Sequence, residues 1–444
     1  MFPTDECRRV SAVDFVGEER PRRPGRSEPE IHTKVVAETS DGGIRPQKGS
    51  CNQERSKQQM FVYFDNSATT KPSEEVIKAM NEALSVCYGN PSSLYGKGLE
   101  AEKLLKSSRA SVAKSLGCQP KELFFTSCGT ESDNWAIKGV WEARKKQGKR
   151  IISTAVEHPA VLRCLDHLKQ QGAEVVLLDP SADGKISAEQ VKEALSGDTI
   201  LVSIMHVNNE TGAVMPLKEI RRVLNAAGSK AVFHSDAVQS YGKLDCSAKE
   251  LGVDMLSISG HKVHASKGVG ALYVKSGLHL PVFMDGGGQE GGQRSGTENI
   301  PGIAGFGAAA EKILTGREDT LGRMAAVRSR LLERILSDIP DVKINSPEDA
   351  CPSVLNVSFL GCRAEVLLHM LDTEGICVST GSACSSHVKG SHVLSAMGLK
   401  PSEIEGALRF SFSGYNTLEE ADYTAEKLAQ AVSSHRKLMK YHKG

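Results

Sequence analysis

Between residues 123 and 274 the chain repeats one pattern, a short apolar run that ends on a polar cluster and gives way to helical spacing. Segments 123–126, 150–155, 174–178, 199–206, 230–234, 253–259 and 270–274 read as strands, and helices lie between most of them. Strands alternating with helical patterns imply an α/β fold with a mostly parallel sheet covered by helices on both faces. In such sheets a ligand sits at the carboxyl ends of the strands. The polar clusters fall at those ends: residues 126–130, Glu157 with His158, Asn208-Asn-Glu210, Asp236 and Lys262.

A chain of 444 residues is too long for one simple core, so more than one domain is expected. Residues 1–59 mix Arg, Glu, Pro and Gly without sustained periodicity and are expected to be disordered; no function is assigned to them. They hold no apolar stretch suited to secretion, and their acidic residues count against a mitochondrial transit peptide. A segment 60–74 is expected to pack with a small domain. Its strand leads into a helix over 73–84, with Ser73 at the N-cap and Glu74 and Glu75 in the first turn. Residues 75–318 form the expected large domain. A helical stretch over about 302–337 leads into a smaller α+β domain, 319–444, with strands over 353–359, 376–379 and 407–412 and a last helix from Leu418.

The formal net charge of +1 argues against a nucleic-acid partner held by phosphate contacts. No apolar run approaches the ~20 residues of a membrane span. The 11 cysteines are irregularly spaced, with no C-x-x-C pair, which suits free thiols in a reducing compartment. Cys384 with His387 is too few for a zinc site. A soluble cytoplasmic protein with neither a nucleic-acid nor a membrane partner is expected.

Three of the strand-end clusters gain meaning together. Lys262 ends the segment Ser257-Ile-Ser-Gly-His-Lys262 after a buried strand. Partial burial lowers an ammonium's pKa and makes the amine able to form a Schiff base, although a lone strand-end lysine more often simply reaches water. Ser127-Cys-Gly-Thr130 opens a helix, with Thr130 and Asp133 at capping-box spacing. Free amides beside a hydroxyl at a helix N-terminus suit a phosphate, or make an ordinary cap. Asp236 stands in a mostly apolar place, where a protonated pyridine nitrogen would keep it ionised; a helix cap or a structural ion pair is the alternative. A phosphate cradle, a pyridinium partner and a Schiff-base lysine together specify pyridoxal phosphate. The loop Ser379-Thr-Gly-Ser-Ala-Cys384-Ser-Ser-His387 then places a thiol among small residues, as an exposed, mobile group suited to sulfur chemistry.

The motifs Phe64-Asp-Asn-Ser-Ala-Thr-Thr70, Tyr88-Gly-Asn-Pro-Ser-Ser93, Thr130-Glu-Ser-Asp-Asn134, His206-Val-Asn-Asn-Glu210, Ser259-Gly-His-Lys262, Arg294-Ser-Gly-Thr297, Ser382-Ala-Cys384 and Arg409-Phe-Ser411 run in order from about residue 61 to the C-terminus. They resemble the cysteine desulfurases of the NifS/IscS group, in the long-loop class. The resemblance implies a fold-type I pyridoxal-phosphate enzyme, a homodimer with its sites at the subunit interface. It implies that Lys262 holds the cofactor and Asp236 pairs with its pyridine nitrogen. His158 would stack on the ring and shuttle a proton, and Asn209 and Gln239 would contact the phenolic-oxygen side. Gly129, Thr130, Ser259 and His261 would bind phosphate, with Thr297 of the second subunit. Arg409 would take the substrate carboxylate, for which a planar two-donor fork is suited.

By the same resemblance, L-cysteine displaces Lys262, whose freed amine removes the Cα proton. The Cys384 thiolate attacks the substrate sulfur, and L-alanine leaves with a persulfide held on Cys384. A sulfur-acceptor protein follows, either an iron–sulfur scaffold or a thiolation enzyme such as one acting on tRNA. A selenocysteine lyase shares the fold and cofactor and is the alternative; a non-catalytic sulfur-assembly scaffold is disfavoured by the intact Lys262, Asp236, His158 and Arg409. The chain departs from the family pattern at Cys128, at Tyr95, at His264-Ala-Ser-Lys267 in place of a Gly-Pro-containing turn, and at Gly414 in place of an arginine.

Overall fold

The computed structural model describes residues 60–381 and 390–439. The expected disorder of the N-terminal tail and the Cys384–His387 loop both fall outside these residues. Twelve strands occur among the described residues: β1 (Val62–Tyr63), β2 (Leu123–Thr126), β3 (Arg150–Thr154), β4 (Glu174–Leu178), β5 (Thr199–Ser203), β6 (Val232–Asp236), β7 (Met255–Ser259), β8 (Gly270–Val274), β9 (Val342–Ile344), β10 (Val354–Phe359), β11 (Ile376–Cys377) and β12 (Ala407–Ser411).

Seven of them form one sheet in the order β2-β8-β7-β6-β5-β3-β4. The run from β7 to β4 is parallel, and β8 pairs antiparallel with both β7 and β2. Every residue of β5, β6, β7 and β8 is buried, as expected for strands covered on both faces. Side-chain alternation divides neighbouring residues between two cores. Ile151, Leu201, Val232, Met255 and Leu272 pack against Trp135 and Leu165. Ile152, Val202, Phe233, Leu256 and Ala271 face the other way, onto Val112, Ile303 and Phe306. At the sheet edge β4 exposes Glu174 and Leu177.

Ser73 caps the helix Glu74–Ser85 as expected, its Oγ accepting from Val76 N at 3.4 Å. The capping box expected from Thr130 and Asp133 does not form. The helix Gly129–Arg144 begins with Cys128 at its N-cap and no side-chain cap, which makes Thr130 a helical residue and turns Asp133 into the core, 0% exposed. Glu131 instead reaches back to accept the Ser127 N–H at 3.0 Å, held there by Arg294 Nε at 2.7 Å. β5 stops at Ser203, short of the expected 206, while β6 runs on so that Asp236 is its last residue. β11 is two residues long rather than four, because the chain at Ser379 pairs with Arg409 instead, as an isolated bridge.

A second sheet, β12-β10-β9, is antiparallel, and β1 pairs in parallel with β11. Their core joins Phe64, Leu355, Val357, Phe410 and Phe412 to Leu367 and Leu428 of two helices, Ala364–Thr373 and Leu418–Leu438. Phe64 and Phe412 meet edge to face at 5.1 Å. One helix, Ile300–Asp338, serves both regions: Ile303, Phe306 and Ala310 enter the core of the seven-stranded sheet, and Val327, Leu331 and Ile335 that of the three-stranded sheet. The residue pair 318/319, where the sequence suggested a domain boundary, lies inside this helix. Among the described residues no helix is long and apolar enough to cross a membrane.

Candidate active site

A cavity of about 270 Å³ opens at the carboxyl ends of β5, β6 and β7. Gly129, Thr130, His158, Asn209, Asp236, Gln239, Ser259, His261, Lys262 and Arg409 all line it. Thr297 is exposed and does not line it.

Lys262 ends the short 3₁₀ turn Gly260–Lys262 that follows β7 directly. Its Nζ donates to the carbonyl oxygens of Ser67 at 2.5 Å and Ala68 at 2.7 Å, so the turn after β1 holds the amine at the cavity wall. His261 is fixed by an Nδ1 contact with Thr69 Oγ1 at 3.2 Å. Burial first, then the nearby lysines, push its imidazole down to about 4, so it is neutral near pH 7.

Asp236 is 6% exposed, and its Oδ1 accepts the Val238 N–H at 2.8 Å. Burial pushes its carboxyl up, and His158, the Val238 N–H and Lys262 pull it back down. His158 caps the helix Pro159–Gln170, its Nδ1 accepting from Ala160 N at 3.2 Å. An accepting Nδ1 leaves the proton of the neutral ring on Nε2. Burial lowers the His158 pKa, which favours that neutral ring.

Arg409 enters from β12. Its Nη2 pairs with Asp65 Oδ1 at 2.8 Å, and its Nη1 donates to the Asn209 carbonyl at 3.1 Å. Its Nε is buried and has no hydrogen-bond partner among the described residues. Gln239 donates to the Ser67 carbonyl at 3.0 Å and accepts from Lys243 Nζ at 3.2 Å.

Sequence reasoning missed Asp65 as the partner of Arg409 and the Ser67 and Ala68 carbonyls as the seat of Lys262. All three stand in the segment 64–70 that carried the resemblance, so the signal was present without its role. Glu157 was read only as part of a polar cluster. It is fully buried, with Oε1 accepting from Thr154 Oγ1 at 2.8 Å and Met205 N at 2.9 Å, and burial pushes its carboxyl up to about 8.

These residues fit pyridoxal phosphate. Ser259 Oγ is buried at the cavity wall with no partner among the described residues, as a donor waiting for an acceptor would be. Gly129 opens its helix at the same wall, where a Cβ would lie 2.7 Å from Val238 Cγ2, and the N-terminal amides of that helix carry no side-chain cap. A buried Asp236 whose one hydrogen bond among the described residues is to an amide suits a cationic ring nitrogen.

Residues 62–424 match the class-V aminotransferase family. A cysteine desulfurase IscS of Clostridium botulinum is 42% identical over 381 residues, which are 85% of this chain and 96% of that protein. A solved NifS-like protein superposes with a TM-score of 0.80 at 38% identity, covering 84% of this chain and 100% of its own. SspA, solved in complex with cysteine, gives a TM-score of 0.72 at 35% identity, over 80% of this chain and 100% of its own. With the mostly parallel sheet, these superpositions bear out the expected fold-type I architecture. The chain belongs to the class-V aminotransferases and, within them, to the pyridoxal-phosphate-dependent cysteine desulfurases.

Proposed function

We propose that this chain converts L-cysteine to L-alanine and passes the sulfur to its own Cys384 as a persulfide. The observation that carries the reading is the convergence of Lys262, Asp236, His158 and Arg409 on one cavity at the strand ends. The Clostridium botulinum relative and the cysteine-bound SspA support the substrate.

Bound in the cavity, pyridoxal phosphate supplies an electron sink for the charge that develops as the Cα proton leaves. Arg409 orients the substrate by its carboxylate, with Asp65 and the Asn209 carbonyl fixing the guanidinium. Lys262, released from its seat, takes the Cα proton on Nζ. His158 carries a proton on Nε2 and can move it near neutral pH. Asp236 keeps a negative charge at the ring-nitrogen end of the site. Gly129, Thr130, Ser259 and His261 hold the phosphate, and Asn209 and Gln239 take the phenolic-oxygen side.

The Cys384 thiolate attacks the substrate sulfur: an S–S bond forms and the Cβ–S bond breaks with its electron pair left on carbon; a proton taken up at Cβ and the return of a proton to Cα from Lys262 Nζ complete alanine. Gly381 lines the cavity, and Cys384 follows it three positions on in the sequence. The active unit is a homodimer in which Thr297, exposed in the single chain, reaches the phosphate of the second subunit's site. The acceptor that takes the sulfur is an iron–sulfur scaffold or a thiolation enzyme, and the setting is the cytoplasm. The segments 60–74, 75–318 and 319–444 act as parts of this catalytic unit.

The test is alanine release from L-cysteine and from L-selenocysteine, with a thiol reductant, for wild type, Lys262→Ala and Cys384→Ala. Loss of both reactions in Lys262→Ala, and of the cysteine reaction alone in Cys384→Ala, is expected. A wild type that accepts only selenocysteine, or a Lys262→Ala that turns over at the wild-type rate, overturns the reading.

A further inference from the structure

A second cavity, about 260 Å³, lies on the far side of Lys262, between the 262–264 turn, the helix Ile300–Asp338 and the residues that follow β12. Its wall is of two kinds. Val263, Ala309, Ile313, Met324 and Phe412 make an apolar part. Lys243, Lys262, Lys312, Arg317 and Arg323 all line it, against one lining carboxylate, Asp319; Lys262 belongs to the candidate active site, and the other four bring the positive charge.

Two of the cations are already answered: Lys312 pairs with Glu75 at 2.8 Å, and Arg317 lies 3.5 Å from Asp245. Lys243 and Arg323 have no carboxylate partner among the described residues. Lys243 is 4% exposed, and the one hydrogen bond of its ammonium among the described residues is to the neutral Gln239 side chain at 3.2 Å. A buried ammonium with a single neutral partner is costly unless an anion answers it. Setting Lys243 and Arg323 against Asp319 leaves one positive charge, which suits a monoanion.

The space depends on Gly414. A Cβ there would lie 2.8 Å from Thr320 Cγ2, so any side chain at 414 would crowd the wall formed by the long helix. Gly414 and His264 both line this cavity.

We propose that this cavity is a binding site for a small organic monocarboxylate, its carboxylate on Lys243 and its apolar body against Ile313, Met324 and Phe412. The site is a different cavity from the one that binds the substrate, and the two share a wall: Lys262 lines both, and Gln239 lines the candidate active site while accepting the Lys243 hydrogen bond.

The test is calorimetric titration of the holoenzyme with benzoate, and in parallel with inorganic phosphate. Benzoate is expected to bind one per chain in wild type, and at least tenfold more weakly in Gly414→Arg, which fills the space with its own cation, and in Lys243→Met. Arg409→Lys is expected to bind benzoate as wild type does, which separates this site from the substrate carboxylate site. Should Lys243→Met fail to fold, Gly414→Arg decides alone, since residue 414 is only partly buried and its φ is not positive. No benzoate binding in wild type, unchanged binding in Gly414→Arg, loss in Arg409→Lys, or binding of phosphate in place of benzoate each overturns the proposal.

Discussion

Arg409 Nη2 lies 2.8 Å from Asp65 Oδ1, a pair that joins β12 to the turn after β1 across the mouth of the candidate site. The arginine side chain is 5% exposed and the aspartate's is 21% exposed. The pair therefore fixes the fork that a substrate carboxylate would meet, and leaves the buried Nε without a partner among the described residues. Asp65→Asn keeps the shape and removes the charge. The expected result is a KM for L-cysteine raised roughly 3- to 10-fold with kcat within about twofold, as for an interaction that serves ground state and transition state alike. Steady-state alanine release checks it, and a fall in kcat with unchanged KM would contradict a positioning role.

Asp236 sets stability against activity. Its carboxyl is pushed up by burial, so the cofactor-free protein holds the charge at a cost. Asp236→Asn is expected to raise the Tm of cofactor-free protein while lowering kcat roughly 10²–10³-fold, the scale on which losing one preorganised electrostatic partner is felt. Differential scanning calorimetry and alanine release measure the two effects; a lowered Tm would count against it.

Glu157 supplies a pH signature of folding. Burial pushes its carboxyl up to about 8 from an ordinary 4.5. Between those values the folded chain keeps a proton that the unfolded chain has lost, so its contribution to stability is full below the lower value and falls as pH rises through the window. The Tm of wild type is expected to decline across that range more steeply than that of Glu157→Gln. Equal slopes in thermal melts at stepped pH would remove Glu157 as the cause.

Gly129 tests the phosphate cradle. A Cβ there would lie 2.7 Å from Val238 Cγ2, beside the Ser259 hydroxyl, which has no partner among the described residues. Gly129→Ala is expected to weaken cofactor retention on dialysis about tenfold or more, with far-ultraviolet dichroism unchanged. Retention equal to wild type would mean that Val238 yields the space.

Much of the site was legible because a parallel sheet gathers its polar residues where strands end, and Asp236, Ser259 and Lys262 stand at those ends in the sequence itself. What escaped depended on direction or on distance along the chain. Asp133 sits at capping-box spacing from Thr130, but a helix that starts at Gly129 turns its carboxylate inward, to 3.7 Å from His234 Nε2. Asp65 and Arg409 are 344 positions apart, and only the fold makes them neighbours. β9 is three half-buried residues with a lysine at the centre, a pattern too short to carry a period.

The helix Ile300–Asp338 is anchored in a core at both ends and only lightly held in the middle. Its residues 311–323 bury no side chain fully, a span of roughly 20 Å tied to the rest by half-buried Ile313 and by surface pairs such as Lys312–Glu75 and Arg317–Asp245. Gly316 and Gly322 fall within it, each less helix-favouring than alanine by about 1 kcal/mol. This makes it the fuse of the element: under strain the turns around these glycines fray before either anchored end lets go. Deuterium should enter their amides first, and a protease that cuts there would leave each half still seated in its own core.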